Sequence, residues 1–565
     1  MEIMDDLLGA LARLDARLEG LEHRVSALEA RSQTLATSPA QAAVPEEAAT
    51  AGEELALPPA ENIFSVVGKA MLGIAGAYVL RAIAESGSFP KLAVVVLALA
   101  YAAMWLAWAA RAAAEASLTR IAYATTAALI LAPMLAELTL RFQVLPASIT
   151  AGLLSAFVVA ACALAWKRNL VSLVWVANSA AVLAALALLI VSHDLVPYTA
   201  ALLVIAAVAE FGATAGRWPS LRILVAPAVD IAVVILVYIH SLPESSRPDY
   251  AAVAASTVLA IPTLLFLIYG ASIASRTAFV RLRITIFEIV QAVTVFLLAA
   301  TSWLWFAAGA GRALGVCCWL LAAACYAAAF ACFDRIKDQR NYHTYSTWSL
   351  ALVLAGSFLV LPPVSLVLFL SAASVVAILI GVRVARLTLE FHGLVYLTGA
   401  AFASNLLAYA ARALAGTFPT APAWIVWIVA ASAITCYVVG GRFPSDHWNQ
   451  RLLRLLAAVL AVSAVATFLV SGLVWLAAIG MTPGASHVAV IRTLITCALA
   501  LALALSGSRW RRIELVWTAY GTLAFVTAKL LFEDLPHGHS ASIAISIFLY
   551  AIALIIVPRL ARTGR

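Results

Sequence analysis

The sequence predicts an all-α protein, a polytopic bundle of about eighteen transmembrane helices with an N-terminal cytoplasmic coiled coil. Of its 565 residues, 64% are hydrophobic and only 11% are charged, whereas soluble domains carry roughly 25% charged residues. Between Ile63 and Arg559, apolar runs follow one another with short breaks. Each run has about 20 residues, the length that spans a hydrocarbon core of about 30 Å. From Met4 to Leu35, apolar residues recur at spacings of three and four.

Residues 1–36 are predicted to form the coiled coil. Leucine fills all five d positions of the heptads, at Leu7, Leu14, Leu21, Leu28 and Leu35. Arginines at g and glutamates at e would pair between parallel chains. We therefore predict self-association through residues 4–35, most simply as a parallel dimer. A single amphipathic helix on the membrane or on a loop is the alternative.

Residues 37–62 are predicted to be a flexible linker. The segment is rich in Ala, Pro, Glu, Ser and Thr and has no hydrophobic periodicity. Such a composition buries too little apolar surface to order itself.

Residues 63–560 form the predicted transmembrane domain, and residues 561–565 a cytoplasmic tail. The eighteen predicted helices are centred near residues 73, 100, 130, 156, 181, 205, 230, 262, 296, 322, 352, 375, 400, 430, 465, 496, 522 and 550. Most lysines and arginines fall in the loops after even-numbered helices, so the positive-inside rule places both termini in the cytoplasm. No loop is long enough to hold a folded domain, so membrane lipids are the predicted surroundings of most of the chain.

The net charge of +8 does not predict a nucleic-acid partner, because the basic residues are spread thinly over short loops. All seven cysteines lie inside apolar runs and none forms a CxxC pair. That usage supports neither a disulfide framework nor a zinc site. No motif predicts a cofactor.

Acidic residues inside apolar helices are the first candidates for function, because a charge in hydrocarbon is costly. Asp230 is the most central carboxylate, and Pro227 precedes it by about one turn; Pro133 precedes Glu137 in the same way. A mid-helix proline frees the carbonyl four residues earlier and bends the helix. These four residues predict an intramembrane site for a cation or a proton. The structural alternative is that Glu137 pairs with Arg141.

Three other polar residues lie near the inner ends of predicted helices, close to basic loops. They are Glu210, Glu288 and Gln291. We interpret them as members of local ion pairs.

An outer loop carries a second polar group, consisting of Lys529, Glu533, Asp534, His537 and His539. Carboxylates and imidazoles so close together are able to ligate zinc or manganese. Their spacing matches no specific metal motif, and Pro536 with Gly538 is typical of a polar turn. We therefore predict no metal here.

Two stretches resemble an uncharacterised family of bacterial membrane proteins, known as domain of unknown function 2339. The first contains Gly68, Arg81, Glu85 and Gly87, and the second runs from Lys529 through Asp534 to Leu535. The sequence departs from the family pattern after Asp534. The resemblance implies a bacterial cytoplasmic (inner) membrane location and carries no activity with it.

Three classes of function remain open. The favoured class is transporter- or flippase-like handling of a small solute or lipid, which accounts for the helix number and Asp230. An oligomeric cell-envelope scaffold without transport accounts for the coiled coil. A membrane-embedded enzyme acting on lipid-linked substrates would use the loop from Glu533 to His539. Enzymatic activity is thus the least favoured of the three.

Overall fold

The structure is a computed structural model and describes residues 60–86, 90–112, 117–415, 419–420, 423–440, 448–480, 484–535 and 540–562. Two compact units are distinguished, Met1–Ser65 and Val66–Arg565, and every contact reported below lies within the second. The predicted coiled coil falls outside the described residues. So does the predicted linker, except for residues 60–62, which begin the first helix. The described residues are helical with short connections and contain no strand.

Nineteen α-helices are formed by the described residues. They are α1 (Ala60–Ser86), α2 (Lys91–Arg111), α3 (Ser117–Leu140), α4 (Ala147–Arg168), α5 (Val171–Ser192), α6 (Leu195–Thr214), α7 (Arg222–Ser241), α8 (Ala255–Ala278), α9 (Ile286–Phe306), α10 (Ala310–Ala327), α11 (Gln339–Val360), α12 (Pro363–Val384), α13 (Leu387–Ala403), α14 (Leu406–Leu414), α15 (Trp424–Gly440), α16 (Trp448–Gly480), α17 (Ala485–Arg509), α18 (Ile513–Lys529) and α19 (Ser540–Arg562). A π turn follows α10 at Ala328–Phe333, and another follows α18 at Leu530–Asp534.

Fourteen helices in the described part of the chain are long and apolar enough to cross a membrane, or up to fifteen if the bent pair α13–α14 counts as one span. The predicted count of about eighteen is not supported, although a helix lies at each predicted centre. For two of the predicted membrane spans that do not meet this criterion, the physical reason is clear. Helix α11 begins with Gln339, Arg340 and Asn341 and is too polar, while α15 has only 17 residues.

The exposed faces of these helices have the composition expected in lipid. Large apolar side chains are strongly exposed, among them Leu183 (68%), Phe211 (70%) and Ile223 (64%). In water, so many exposed apolar side chains would form aggregation-prone patches, whereas hydrocarbon solvates them. The chain therefore has the architecture of a multi-pass membrane protein.

Five of the basic turns between helices share one backbone conformation. In each, a residue with positive φ follows the helix, and the next N–H donates to the carbonyl five residues earlier. The turns span residues 165–170, 212–217, 333–338, 381–386 and 507–512. This is the Schellman arrangement, which satisfies carbonyls at a helix C-terminus. The lysines and arginines of these turns also lie where the helix dipole favours positive charge.

Gly381→Ala is expected to destabilise the protein by about 1–3 kcal/mol, the usual cost of overpacking. A Cβ at this position would lie 2.9 Å from the backbone nitrogen of Glu390 and 3.1 Å from the carbonyl oxygen of Arg386. Gly152→Ala, in a helix with no atom within 4 Å of the added Cβ, is the matched control and should be neutral or stabilising. The free energy of unfolding in mixed detergent micelles measures both, and equal values would contradict the steric argument.

Candidate functional site

Four helix ends meet at a group of buried charged residues, which we call the Glu210 cluster. It consists of Glu210 on α6, Arg222 on α7, Ser272 and Arg276 on α8, and Glu288 on α9, all buried. Glu210 and Arg276 lie in the last turns of their helices, and Arg222 and Glu288 in the first turns. Two helical hairpins, α6–α7 and α8–α9, therefore bring their acidic and basic residues together at their connected ends.

Arg222 is the centre of the Glu210 cluster. Its Nη1 donates to Glu288 Oε1 at 2.9 Å and lies 3.6 Å from Glu210 Oε2. Arg276 Nε lies 3.3 Å from the same Glu288 oxygen, as an ion pair without hydrogen-bond geometry. The Ser272 hydroxyl donates to Glu210 Oε2 at 2.5 Å. Two carboxylates thus balance two guanidinium groups, which offsets much of the desolvation cost of burying them.

Glu288 is held from two sides. Its Oε2 accepts from the backbone N–H and the hydroxyl of Thr285, at 2.8 and 3.0 Å, and its own N–H donates to the Thr285 hydroxyl. This reciprocal pattern is a capping box at the start of α9. One carboxylate therefore caps a helix with one oxygen and binds Arg222 with the other, which fixes the geometry of the cluster.

Glu210 is held less completely. Its Oε1 and the Nη1 of Arg276 are both buried and have no hydrogen-bond partner among the described residues. A buried polar atom without a partner costs free energy comparable to that of a lost hydrogen bond. A proton, a polar ligand or a rearranged ion pair would satisfy these atoms, so this is the part of the cluster that is chemically able to change.

Asp230 lies two turns further along α7 from Arg222. Its Oδ1 accepts a hydrogen bond of 3.0 Å from Gln291 Nε2, and Gln291 lies one turn beyond Glu288 on α9. Tyr269, fully buried, lies one turn before Ser272 on α8. Polar groups therefore extend from the Glu210 cluster to the middle of α7.

The predicted intramembrane residues divide between two places. Pro227 and Pro133 lie inside α7 and α3, as expected, and both are exposed. Glu137 pairs at 2.7 Å with Arg81 of α1, whereas Asp230 bonds Gln291. Asp230 and Glu137 thus belong to separate polar contacts, and the intramembrane cation or proton site stays a prediction.

A second charged group, the Lys529 cluster, consists of Arg492, Thr493, Lys529, Glu533 and Asp534, all buried except Glu533, whose side chain is 25% exposed. The Lys529 ammonium donates to both oxygens of Asp534, at 2.7 and 2.8 Å. It also donates to the Thr493 hydroxyl at 3.1 Å. Residues five apart do not face each other on an α-helix, but the π turn from Leu530 to Asp534 closes i to i+5 and brings this pair together.

Arg492 joins the Lys529 cluster to the end of α14. Its Nη1 lies 2.6 Å from Glu533 Oε1, and its Nε and Nη2 donate to the carbonyls of Ala413 and Arg412. These carbonyls belong to the last turn of α14, where a cation is favourable. Helix α14 is bent by 67° from α13, so Arg492 fixes the end of a broken helix.

Of the predicted outer-loop group, the structure describes Lys529, Glu533 and Asp534, and its placement on the outer side stays a prediction. These three residues lie together and are joined by Arg492 and Thr493, which no local pattern in the sequence singles out. His537 and His539 lie outside the described residues. Within the described ranges, no group of three or more His, Cys, Asp or Glu side chains is arranged to hold a metal ion.

Glu210 and Glu288 were predicted to form local ion pairs, and the structure confirms both. Arg222 and Arg276 were not predicted as their partners, because in the sequence they are two among the many cations of the basic loops. The sequence does contain one indication of this pairing. Each arginine lies within one turn of a helix end, and the neighbouring hairpin carries an acidic residue near its own connected end.

No protein-family model matches this chain, and no curated protein or solved structure is significantly similar to it.

Proposed function

We propose that this chain is a transporter- or flippase-like membrane protein that handles a small solute or a lipid, and that Asp230 and Glu210 carry its coupling proton. The observation that carries the proposal is the half-satisfied carboxylate of Glu210. A fully paired network would be expected of a rigid element. A buried carboxylate with one open oxygen is the arrangement needed to bind and release a proton.

The route of the proton follows from the placement of the polar groups. Asp230 lies halfway along α7, Tyr269 lies on α8, and Glu210 lies where α6 ends. Protonation of Glu210 would remove its ion pair with Arg222, so that Arg222 would pair with Glu288 only. The charge balance between the hairpins α6–α7 and α8–α9 would then change. In transporters, intramembrane carboxylates form proton relays of this kind.

The setting of the proposed transporter is the bacterial cytoplasmic membrane, with both termini in the cytoplasm. The positive-inside distribution supports this orientation, and the resemblance to domain of unknown function 2339 supports the location. The five Schellman turns, all in basic loops, are the connections expected on one side of the membrane. We further propose that residues 4–35 pair two chains through a coiled coil on that side.

A scaffold without transport is the second candidate, and the Lys529 cluster favours it. There the Lys529 ammonium is matched by hydrogen-bond acceptors, and Arg492 ties the broken helix α13–α14 to α17 and to the π turn after α18. Such a network supports a rigid structure rather than the uptake and release of protons. The two candidates differ in whether the Glu210 cluster takes up protons.

Proton uptake by the full-length chain tests the proposal without a known substrate. In proteoliposomes on a solid-supported membrane, a pH jump should give a transient current as protons reach buried carboxylates. We expect Asp230→Asn and Glu210→Gln each to remove most of this transient charge. Asp249→Asn, at an exposed loop residue, is the matched control and should retain it.

The same preparation with fluorescently labelled phospholipid distinguishes a lipid substrate from a solute. Faster movement of labelled lipid between leaflets than in protein-free liposomes would indicate flippase-like activity. If Asp230→Asn and Glu210→Gln together leave the transient current unchanged while the protein remains folded, the proton site is wrong and the scaffold is favoured.

A further inference from the structure

Two neighbouring basic turns form a patch of cations and aromatic rings, which we call the Trp166 patch. It consists of Trp166, Lys167 and Arg168 at the end of α4, Phe211 near the end of α6, and Arg217 in the turn after α6. Helices α4 and α6 pack against each other. Lys167, Arg168 and Phe211 are exposed, and the other two residues are half-buried.

The indole of Trp166 holds the patch together. The guanidinium carbon of Arg217 lies 4.7 Å from the centre of the Trp166 ring, and Arg217 Nη1 donates to the Trp166 carbonyl at 3.2 Å. The Phe211 ring stacks on the same indole, with ring centres 5.8 Å apart and an angle of 25° between the planes. A guanidinium that stacks through its face keeps its in-plane N–H groups for an acceptor such as phosphate. Arg217 is therefore fixed beside Lys167 with N–H groups that the Trp166 carbonyl does not occupy.

The three cations of the Trp166 patch are not neutralised by any described carboxylate. The ion pairs among the described residues are formed by other cations, and the turns at 165–170 and 212–217 contain no acidic residue. The neighbouring Glu210 cluster balances two carboxylates against two guanidinium groups, so it adds no net charge. The C-terminal ends of α4 and α6 each contribute roughly half a negative charge, against three full positive charges. The patch therefore favours an anion.

The Trp166 patch lies where two candidate membrane spans end. These spans end at Arg168 and Thr214, and Arg217 is three residues beyond the second. Phe211 is 70% exposed and lies three residues before the end of α6, which is about 4.5 Å at 1.5 Å per residue. Aromatic rings at this depth lie at the boundary between hydrocarbon and headgroups. The patch therefore has its cations at the level of the phosphates and an apolar ring on the hydrocarbon side, as a phospholipid requires.

We propose that the Trp166 patch is a binding site for one anionic phospholipid of the leaflet that it faces. The lipid phosphate accepts hydrogen bonds from Arg217 and from Lys167 or Arg168, and an acyl chain lies against Phe211. Basic residues beside a membrane attract anionic headgroups, and the stacked guanidinium adds a fixed direction to that attraction. The site does not depend on transport and stands whether or not the chain moves a substrate.

Another Schellman turn provides an internal comparison. Residues 333–338 have the same backbone hydrogen bond as the two turns of the patch, and Arg335 and Lys337 are exposed there. The same turn contains Asp334 and Asp338, so two carboxylates offset its two cations. We expect no lipid site at this turn, and its cations are therefore a matched control for those of the Trp166 patch.

Native mass spectrometry of the full-length protein tests the site, with phosphatidylglycerol and phosphatidylcholine of identical acyl chains as probes. We expect the wild-type chain to bind phosphatidylglycerol more tightly. Arg217→Gln should raise the dissociation constant of the first bound phosphatidylglycerol about tenfold or more, the usual effect of losing a hydrogen bond to a charged group. Lys167→Gln with Arg168→Gln changes exposed residues, should also raise it about tenfold, and provides the test if Arg217→Gln misfolds. Arg335→Gln with Lys337→Gln removes the same charge and should change the constant by less than about twofold.

Two further measurements decide whether the ligand is a lipid. Phe211→Ala should weaken the binding of phosphatidylglycerol, because the acyl chain loses its contact. Glycerophosphoglycerol, the same headgroup without acyl chains, should not displace the bound lipid. Displacement by it, or unchanged binding in Phe211→Ala, would overturn the lipid assignment in favour of a soluble anion. Equal binding of both lipids by the wild type, or equal losses in the patch variants and the Arg335 and Lys337 control, would overturn the site itself.

Discussion

Lys529→Met is expected to lower the free energy of unfolding by about 3–5 kcal/mol, the usual cost of removing one partner of a buried ion pair. The Lys529 side chain is fully buried and donates to both oxygens of Asp534. Methionine has nearly the same length and no charge, so packing is preserved. The substitution leaves the Asp534 carboxylate buried beside the Thr493 hydroxyl, which donates to its Oδ2 at 3.4 Å, and the desolvation cost of this carboxylate is the main effect.

Two further variants separate the effect of the lost charge from other effects of the Lys529→Met substitution. Lys167→Met changes an exposed lysine and should cost well under 1 kcal/mol. The double variant Lys529→Met with Asp534→Leu removes both charges and should recover much of the loss, because apolar replacements of buried ion pairs are often tolerated. Denaturation with SDS in mixed micelles, followed by circular dichroism, gives the unfolding free energies. A loss in Lys529→Met no larger than that in Lys167→Met would show that the pair is not buried in the folded protein.

The sequence predicted the positions of the helices better than their number in the membrane. Length and hydropathy locate a helix, but they do not show whether a helix with a polar first turn, such as Gln339 to Asn341, crosses the membrane. The break at Asn405 was also missed. Asn405 has a φ of 59°, a conformation that asparagine adopts more readily than most residues, but a single asparagine in an apolar run is too weak a signal to predict a bend of 67°.

The candidate sites were predicted in part because only local patterns are visible in a sequence. Lys529 and Asp534 were selected because they are near in the chain, and they do form a pair. Arg492 is 41 residues from Glu533 and Arg222 is 66 residues from Glu288, so their pairing depends on how hairpins pack. The π turn after α18 has no sequence signature that we recognise, yet it sets the contact between Lys529 and Asp534.

The two clusters differ in how completely their charges are paired, and this difference bears on function. Lys529 has acceptors from a carboxylate, a hydroxyl and the Ala489 carbonyl, so a second arrangement would break several strong contacts at once. Glu210 has one oxygen bound by Ser272 and another that has no hydrogen-bond partner in the described part of the chain, so a second arrangement costs less. Exchange between states is therefore expected at the Glu210 cluster and rigidity at the Lys529 cluster.

Glu288→Gln is expected to destabilise the protein by about 3–5 kcal/mol, because it leaves two buried guanidinium groups beside a single carboxylate. Glutamine keeps the shape of the side chain, and its one oxygen is able to serve either Arg222 or Thr285 but not both. Thr285→Ala removes only the helix cap and should cost about 1 kcal/mol. The difference between the two variants, measured as free energies of unfolding in mixed micelles, is the contribution of charge.

Restoring neutrality provides the control for Glu288→Gln. The double variant Glu288→Gln with Arg276→Gln leaves one carboxylate, Glu210, and one guanidinium, Arg222, within 3.6 Å of each other. It should therefore be more stable than Glu288→Gln alone by about 1 kcal/mol or more, a coupling typical of residues in one network. If Thr285→Ala proves as costly as Glu288→Gln, or if the double variant is the less stable of the two, then the cap rather than charge balance makes Glu288 necessary, and the Glu210 cluster is not electrostatically coupled in the way its geometry indicates.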